Sequence, residues 1–239
     1  MVFYIWTKSK VIEDLFSYIS EYADFIPLIL FIVFISKLKL EKSLWVIFVY
    51  CLVSILGDFF INSKPVSPGL LRYYNSFYTF FEYFSFALFI WLGIQRPPFK
   101  KVIMWVSISF FVFLAVYFVS AKYSRLDSIP IGLETLLILI FSFYFLFELT
   151  NNSKDTFIHY NFRFWVVIGM IIYLSGSFFI YLYANQLSTT EGKKFGILID
   201  FFYILKNIFF AIAIFIFYKH PNRKLNSQST IPHLDLDIS

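Results

Sequence analysis

Two side chains of opposite charge, Glu82 and Lys206, stand deep inside apolar stretches of this chain. Ionisable groups in such stretches are costly, and they usually face a bundle interior or a water-filled cavity. Three more carboxyls share that setting: Asp58, Glu134 and Asp200. A carboxylate and an ammonium brought together in a low-dielectric interior can form an ion pair, take up and release a proton, or hold a polar ligand. The flanking residues add polarity in a regular pattern. Asn75, Tyr78, Thr79 and Ser85 stand at offsets −7, −4, −3 and +3 from Glu82, which places them on its helical face. Asp200, Tyr203, Lys206, Asn207 and Phe210 occupy one broad face of a later helix, and Tyr173, Ser177 and Tyr181 repeat every four residues in the helix before it.

The elements that must carry these residues are membrane-length helices. Hydrophobic residues make up 59% of the chain and charged residues 15%, well below the charged share of a soluble domain. Seven apolar segments are expected, at about 24–36, 43–62, 71–92, 102–120, 129–149, 162–184 and 195–218. Their separators are short and carry breakers such as Lys64-Pro65, Pro68-Gly69, Pro97-Pro98 and Asn151-Asn152. The fold class predicted is all-α: a polytopic membrane bundle of seven helices over residues 21–218. An amphipathic segment over 1–20 precedes it and a polar, disordered tail over 219–239 follows. Val11, Ile12, Leu15, Phe16 and Ile19 recur at helical spacing in that first segment, which either lies in the interface or extends the first span. The opening MVFYIWTKSK does not read as a signal peptide, because its charges follow its apolar residues.

Lys and Arg near the span ends divide eleven against eight between the two sides, which predicts an outside amino terminus and an inside carboxyl terminus. On that frame Asp58, Glu134 and Asp200 lie about 6–9 Å below the outer surface, and Glu82 and Lys206 about 15 Å below it. The expectation is an outward-facing polar pocket, walled by aromatics, with Glu82 and Lys206 as its floor and Glu134 as its wall. Tyr78, Tyr173, Tyr203 and Asn207 are the other candidate ligand-binding residues. Two roles stay open for the Glu82–Lys206 pair: a structural ion pair that fixes helix register, or a ligand- or proton-linked centre. Asp58 and Asp200 are expected at headgroup level, and the Tyr173 row is expected to pack.

Several chemistries find no support. His159, His220 and His233 fall outside the apolar segments and Cys51 is the single cysteine, so neither a metal-ligand spacing nor a disulfide framework is present. No phosphate-binding Gly-rich loop, nucleophile elbow or kinase signature occurs. The net charge of +5 is spread over short loops and reads as membrane orientation, not nucleic-acid binding. Catalytic residues are therefore unassigned and no metal is expected.

Three stretches carry a resemblance: Arg72–Trp91, Asp127–Leu149, and Phe164–Asn185 with Asp200–Phe215. They resemble a family of uncharacterised bacterial seven-helix membrane proteins, similar regions of which also form the membrane part of sensor histidine kinases. The positions that match its recurring marks are Glu82, Glu134, Phe164, Trp165, Tyr173, Ser175, Gly176, Lys206 and Asn207. The resemblance implies a receptor- or sensor-like protein of the bacterial inner membrane. No kinase-like stretch follows Tyr218, so a signal would pass to a separate membrane or signalling partner. A seventh-helix lysine opposite a third-helix carboxylate is also similar to retinal proteins, although Asp200 stands six residues before the lysine instead of four and the sixth helix lacks a proline. The leading expectation is a small or lipidic ligand within the bundle. The alternatives are a membrane enzyme or carrier acting on lipid with Glu82 as acid or base, and a non-catalytic subunit of a membrane assembly.

Overall fold

The computed structural model describes residues 15–38, 41–62, 67–120, 128–152, 158–183 and 189–220. Apart from a 3-10 turn at Ile158–Tyr160 and the short junctions between helices, these residues are α-helical, and among the described residues there is no strand. The helices are α1 (15–22), α2 (Phe25–Leu38), α3 (Lys42–Asn62), α4 (Pro68–Gly93), α5 (Pro97–Ser120), α6 (Ser128–Asn152), α7 (Phe162–Tyr183) and α8 (Thr189–Lys219).

Among the described residues six stretches are long and apolar enough to cross a membrane: Leu15–Ser36, Lys42–Ile61, Pro97–Ser120, Ile129–Asn151, Phe162–Ile180 and Phe195–Lys219. Their outward surface agrees with that reading. Phe59, Val119 and Phe179 are among many large apolar side chains left exposed, while Glu82, Glu134, Lys206 and Asn207 are buried. A soluble protein arranges these groups the other way round. The remaining expected segment, the third, is α4, which has 26 residues and the length to cross, at about 39 Å. Its run of Tyr73, Tyr74, Asn75, Ser76, Tyr78, Thr79, Glu82, Tyr83 and Ser85 keeps it out of the apolar set.

For the first expected segment, the structure favours the second of the two readings, an extension of the span. Residues 15–22 do not stand apart as an interfacial helix; they run through a turn at 23–24 into α2 and belong to the 22-residue apolar stretch Leu15–Ser36. Pro27 has no amide hydrogen to give the Ala23 carbonyl, which accepts from the Ile26 amide at 3.2 Å instead. That substitution breaks the helix in mid-stretch. Residues 1–14, with the earlier part of the expected amphipathic segment, and the tail from 221 onward lie outside the described residues.

α2, α3, α4, α6, α7 and α8 pack each on the next, and α8 returns to α2, so the six close a ring. α4 also touches α7 across the ring, and α5 packs on α4. The tightest seam joins α7 to α8. A methyl group placed on Gly169 would stand 2.9 Å from Phe209 Cβ and 3.2 Å from the Lys206 carbonyl oxygen. The missing side chain is what lets the α8 backbone approach at Lys206 itself. Gly169→Ala should push α8 outward and cost about 1–3 kcal/mol, read as a lower unfolding midpoint of the detergent-solubilised chain. An unchanged midpoint would show that the seam has slack.

Polar clamps close the end of the bundle where α2 meets α3, α4 meets α5 and α6 meets α7. The Ser67 hydroxyl starts α4 at the opposite end by accepting from the Leu70 amide at 3.3 Å. At the clamped end, Glu148 of α6 accepts from the amides of Gln95 and Arg96 at 2.8 and 3.1 Å, which satisfies the extended junction before Pro97. Arg163 Nη2 reaches Glu41 Oε1 at 3.0 Å, and the Ser43 hydroxyl donates to the same oxygen at 2.6 Å. Burial pushes the Glu41 carboxyl up, but the Ser43 hydrogen bonds and the Arg163 guanidinium outweigh it and hold the group below its ordinary value of 4.5. A depressed carboxyl contributes stability that is complete above the ordinary value and is lost as pH falls through the folded one. The unfolding midpoint should therefore step down as pH falls below about 4.5, and Glu41→Gln should remove that step. An identical acid limb in the variant would show that the clamp does not respond to pH.

Candidate functional site

Lys206 decides the geometry of the interior. Its side chain is fully buried, at 0% exposure, although an ammonium is among the groups least often taken out of water. The Nζ atom donates to Tyr50 Oη at 2.7 Å. The same hydroxyl donates to Glu82 Oε1 at 2.7 Å and lies 3.2 Å from Tyr78 Oη. With the Tyr50 proton committed to Glu82, Tyr78 is the donor of that last contact. Tyr173 adds a further side-chain hydrogen-bonding interaction to Glu82. The carboxylate and the ammonium are thus joined through a tyrosine oxygen, without direct contact.

A second carboxyl mirrors the first. Asp24, at the break between α1 and α2, is 1% exposed and accepts a hydrogen bond from the Tyr203 hydroxyl through Oδ2. The Tyr203 ring lies 3.8 Å from Lys206 Nζ. The rings of Tyr173, Tyr50 and Phe210 follow at 4.5, 4.7 and 6.0 Å. Aromatic faces carry the negative end of the ring quadrupole, so these four rings supply part of the solvation the ammonium gave up. Lys206 thus reaches Glu82 by hydrogen bonds through Tyr50, while the Tyr203 ring over its ammonium carries the hydroxyl that serves Asp24.

Of the residues singled out by sequence, Glu82, Tyr78, Tyr173, Tyr203 and Lys206 come together here. Asn207 is buried beside them; its Nδ2 donates to the Tyr203 carbonyl of its own helix at 3.3 Å, and its Oδ1 has no partner. Glu134 of α6 is 2% exposed and close enough to Glu82 for the two to interact electrostatically. Asp200 lies away from the centre and accepts from the Ser20 hydroxyl at 2.9 Å. Of the Tyr173 row, Ser177 turns back to the Tyr173 carbonyl at 2.7 Å, and Tyr181 lies outside the described side chains.

Sequence reasoning missed two participants. Tyr50 is not among the expected site residues, although Tyr50, Ser54 and Asp58 repeat every four residues and mark a polar row on α3. Asp24 was taken as the edge of the first span. The continuous apolar run over Leu15–Ser36 is the signal that would have put it near the middle.

Among the described residues no group of three His, Cys, Asp or Glu side chains gathers as a metal site. The Lys206 amine is the attachment point a retinal-type cofactor would require, and here it faces four rings. Comparison with protein-family models, curated proteins and solved structures returns no match.

Proposed function

We propose that the chain is a receptor- or sensor-like membrane protein whose seven-helix bundle binds a small or lipidic ligand around Glu82, Tyr50 and Lys206. α4 completes the seven; the family resemblance implies the bacterial inner membrane, and the Lys and Arg balance near the span ends predicts an outside amino terminus. The observation that carries the reading is the fully buried lysine joined to Glu82 through Tyr50, with the Tyr203 ring over its ammonium. A merely structural ion pair gains most from direct contact, because desolvation is then repaid by the full Coulomb term. The intervening hydroxyl leaves a linkage that a ligand group can enter or replace with little rearrangement of the helices.

The mechanism is a shift between two packings. In one, Lys206 reaches Glu82 through Tyr50; in the other, a bound ligand takes one of these partners and α8 moves relative to α3 and α4. A ligand shifts such an equilibrium only by its difference in affinity for the two states. A separate membrane or signalling partner would read the movement of α8. The test is binding: the purified chain should show a saturable rise in unfolding midpoint with a member of a panel of lipidic small molecules, and Glu82→Gln should lose it. A panel without effect on the native chain, or an equal effect on the variant, would end the reading. Protease access to the carboxyl-terminal end in intact cells against inverted vesicles tests the orientation: cleavage is expected only in the vesicles.

A further inference from the structure

We propose that the head group accepted by this bundle is a cation, a primary alkylammonium, held between Glu82 on α4 and Glu134 on α6. The inference rests on the ligand-binding reading above and names the chemistry of its ligand. Beside the centre, Glu134 Oε1 is a buried carboxyl oxygen without a hydrogen-bond partner, whereas the side chains of Asp24 and Asn207 interact with each other. Among the described residues, the buried side-chain nitrogen without a partner, Arg163 Nε, lies at the clamped end by Glu41. What Glu134 Oε1 lacks is a hydrogen-bond donor. An anionic ligand would find Lys206 already engaged by the Tyr50 oxygen and by ring faces.

Glu134 is 2% exposed, and a buried carboxyl oxygen is normally hydrogen-bonded. Its charged neighbour is another carboxyl, Glu82, on a helix packed against its own. A cationic donor between the two serves both carboxyls at once. An ammonium suits the place, because its three hydrogens can divide between two carboxyls while its alkyl chain lies along apolar helix faces. Binding there also supplies the coupling: the incoming ammonium competes with Lys206 for Glu82 and loosens the link through Tyr50.

The experiment compares three probes of equal chain length on the full chain in detergent: hexylammonium, hexanoate and hexanol. Hexylammonium should raise Tm by about 4 °C at saturation, with the other two without effect. Glu134→Gln, which keeps the shape and removes the charge, should abolish that rise. A second readout needs no variant: an apolar carbodiimide should modify Glu134 in the native chain, and hexylammonium should suppress the adduct seen by mass spectrometry. A shift with hexanoate or hexanol but not hexylammonium would overturn the cation while leaving a ligand-binding bundle. No shift with any probe, together with no protection of Glu134, would overturn both. Sodium chloride reproducing the whole effect would replace the alkylammonium by a simple alkali ion.

Discussion

Lys206→Met should be the most damaging single substitution in the chain, lowering the unfolding free energy by about 3–5 kcal/mol in an SDS titration of the micelle-solubilised protein. Methionine fills nearly the same volume and leaves the rings of Tyr50, Tyr173, Tyr203 and Phe210 in place, so packing changes little. What is lost is the positive charge that acts on Glu82 and Asp24, both of them buried. Removing one member of a buried charged set leaves the others uncompensated, and that penalty exceeds the net worth of the set itself. The prediction carries its own control: combining Lys206→Met with Glu82→Gln should recover part of the loss, because the two side chains act on one network. A Lys206→Met protein within about 0.5 kcal/mol of the native chain would mean that the ammonium is solvated in some way the hydrogen bonds do not express.

Tyr50→Phe should come next, with a loss of about 3 kcal/mol, although it removes one oxygen and no charge. That oxygen accepts from Lys206, donates to Glu82 and lies within reach of Tyr78, so its deletion leaves a buried donor and a buried acceptor unpaired together. The ring stays, and with it the contacts to Phe81, Phe86 and Phe210. Tyr203→Phe should cost less, since the face over Lys206 survives and the missing hydroxyl affects Asp24 alone. Thermal unfolding of the two variants side by side checks the order. Equal effects would show that the path through Tyr50 is no more important than the one through Tyr203.

Much of the bundle can be read from the chain because a bilayer imposes one period and one length. An apolar run near 20 residues has few ways to satisfy its backbone other than a helix. The ends of α3, α6 and α7 follow from composition and from the breakers at the joins, whereas α5 and α8 begin at Pro97 and Thr189, ahead of the apolar segments expected from 102 and 195, because a helix can run on through polar residues. Length and composition separate on α4, whose tyrosines and Glu82 lower its apolarity while its helical pattern continues unbroken. They separate again at Asp24, where a single carboxyl beside Pro27 looks like a boundary in a linear reading and is a turn within a longer stretch.

Residue identities alone determined that the chain is helical and apolar, that Glu82, Glu134, Lys206 and Asn207 are expensive where they stand, and that Gly169 permits a close neighbour. Helical periodicity is local, so these properties survive without knowing which helix touches which. Partnership is not local. That Lys206 meets Tyr50 before Glu82, that Asp24 belongs to the same centre, and that Glu134 Oε1 has no partner depend on how six helices close into a ring and how far each is rotated about its axis. Rotation is set by side-chain packing summed over every contact between helices, and only the tertiary structure holds that sum.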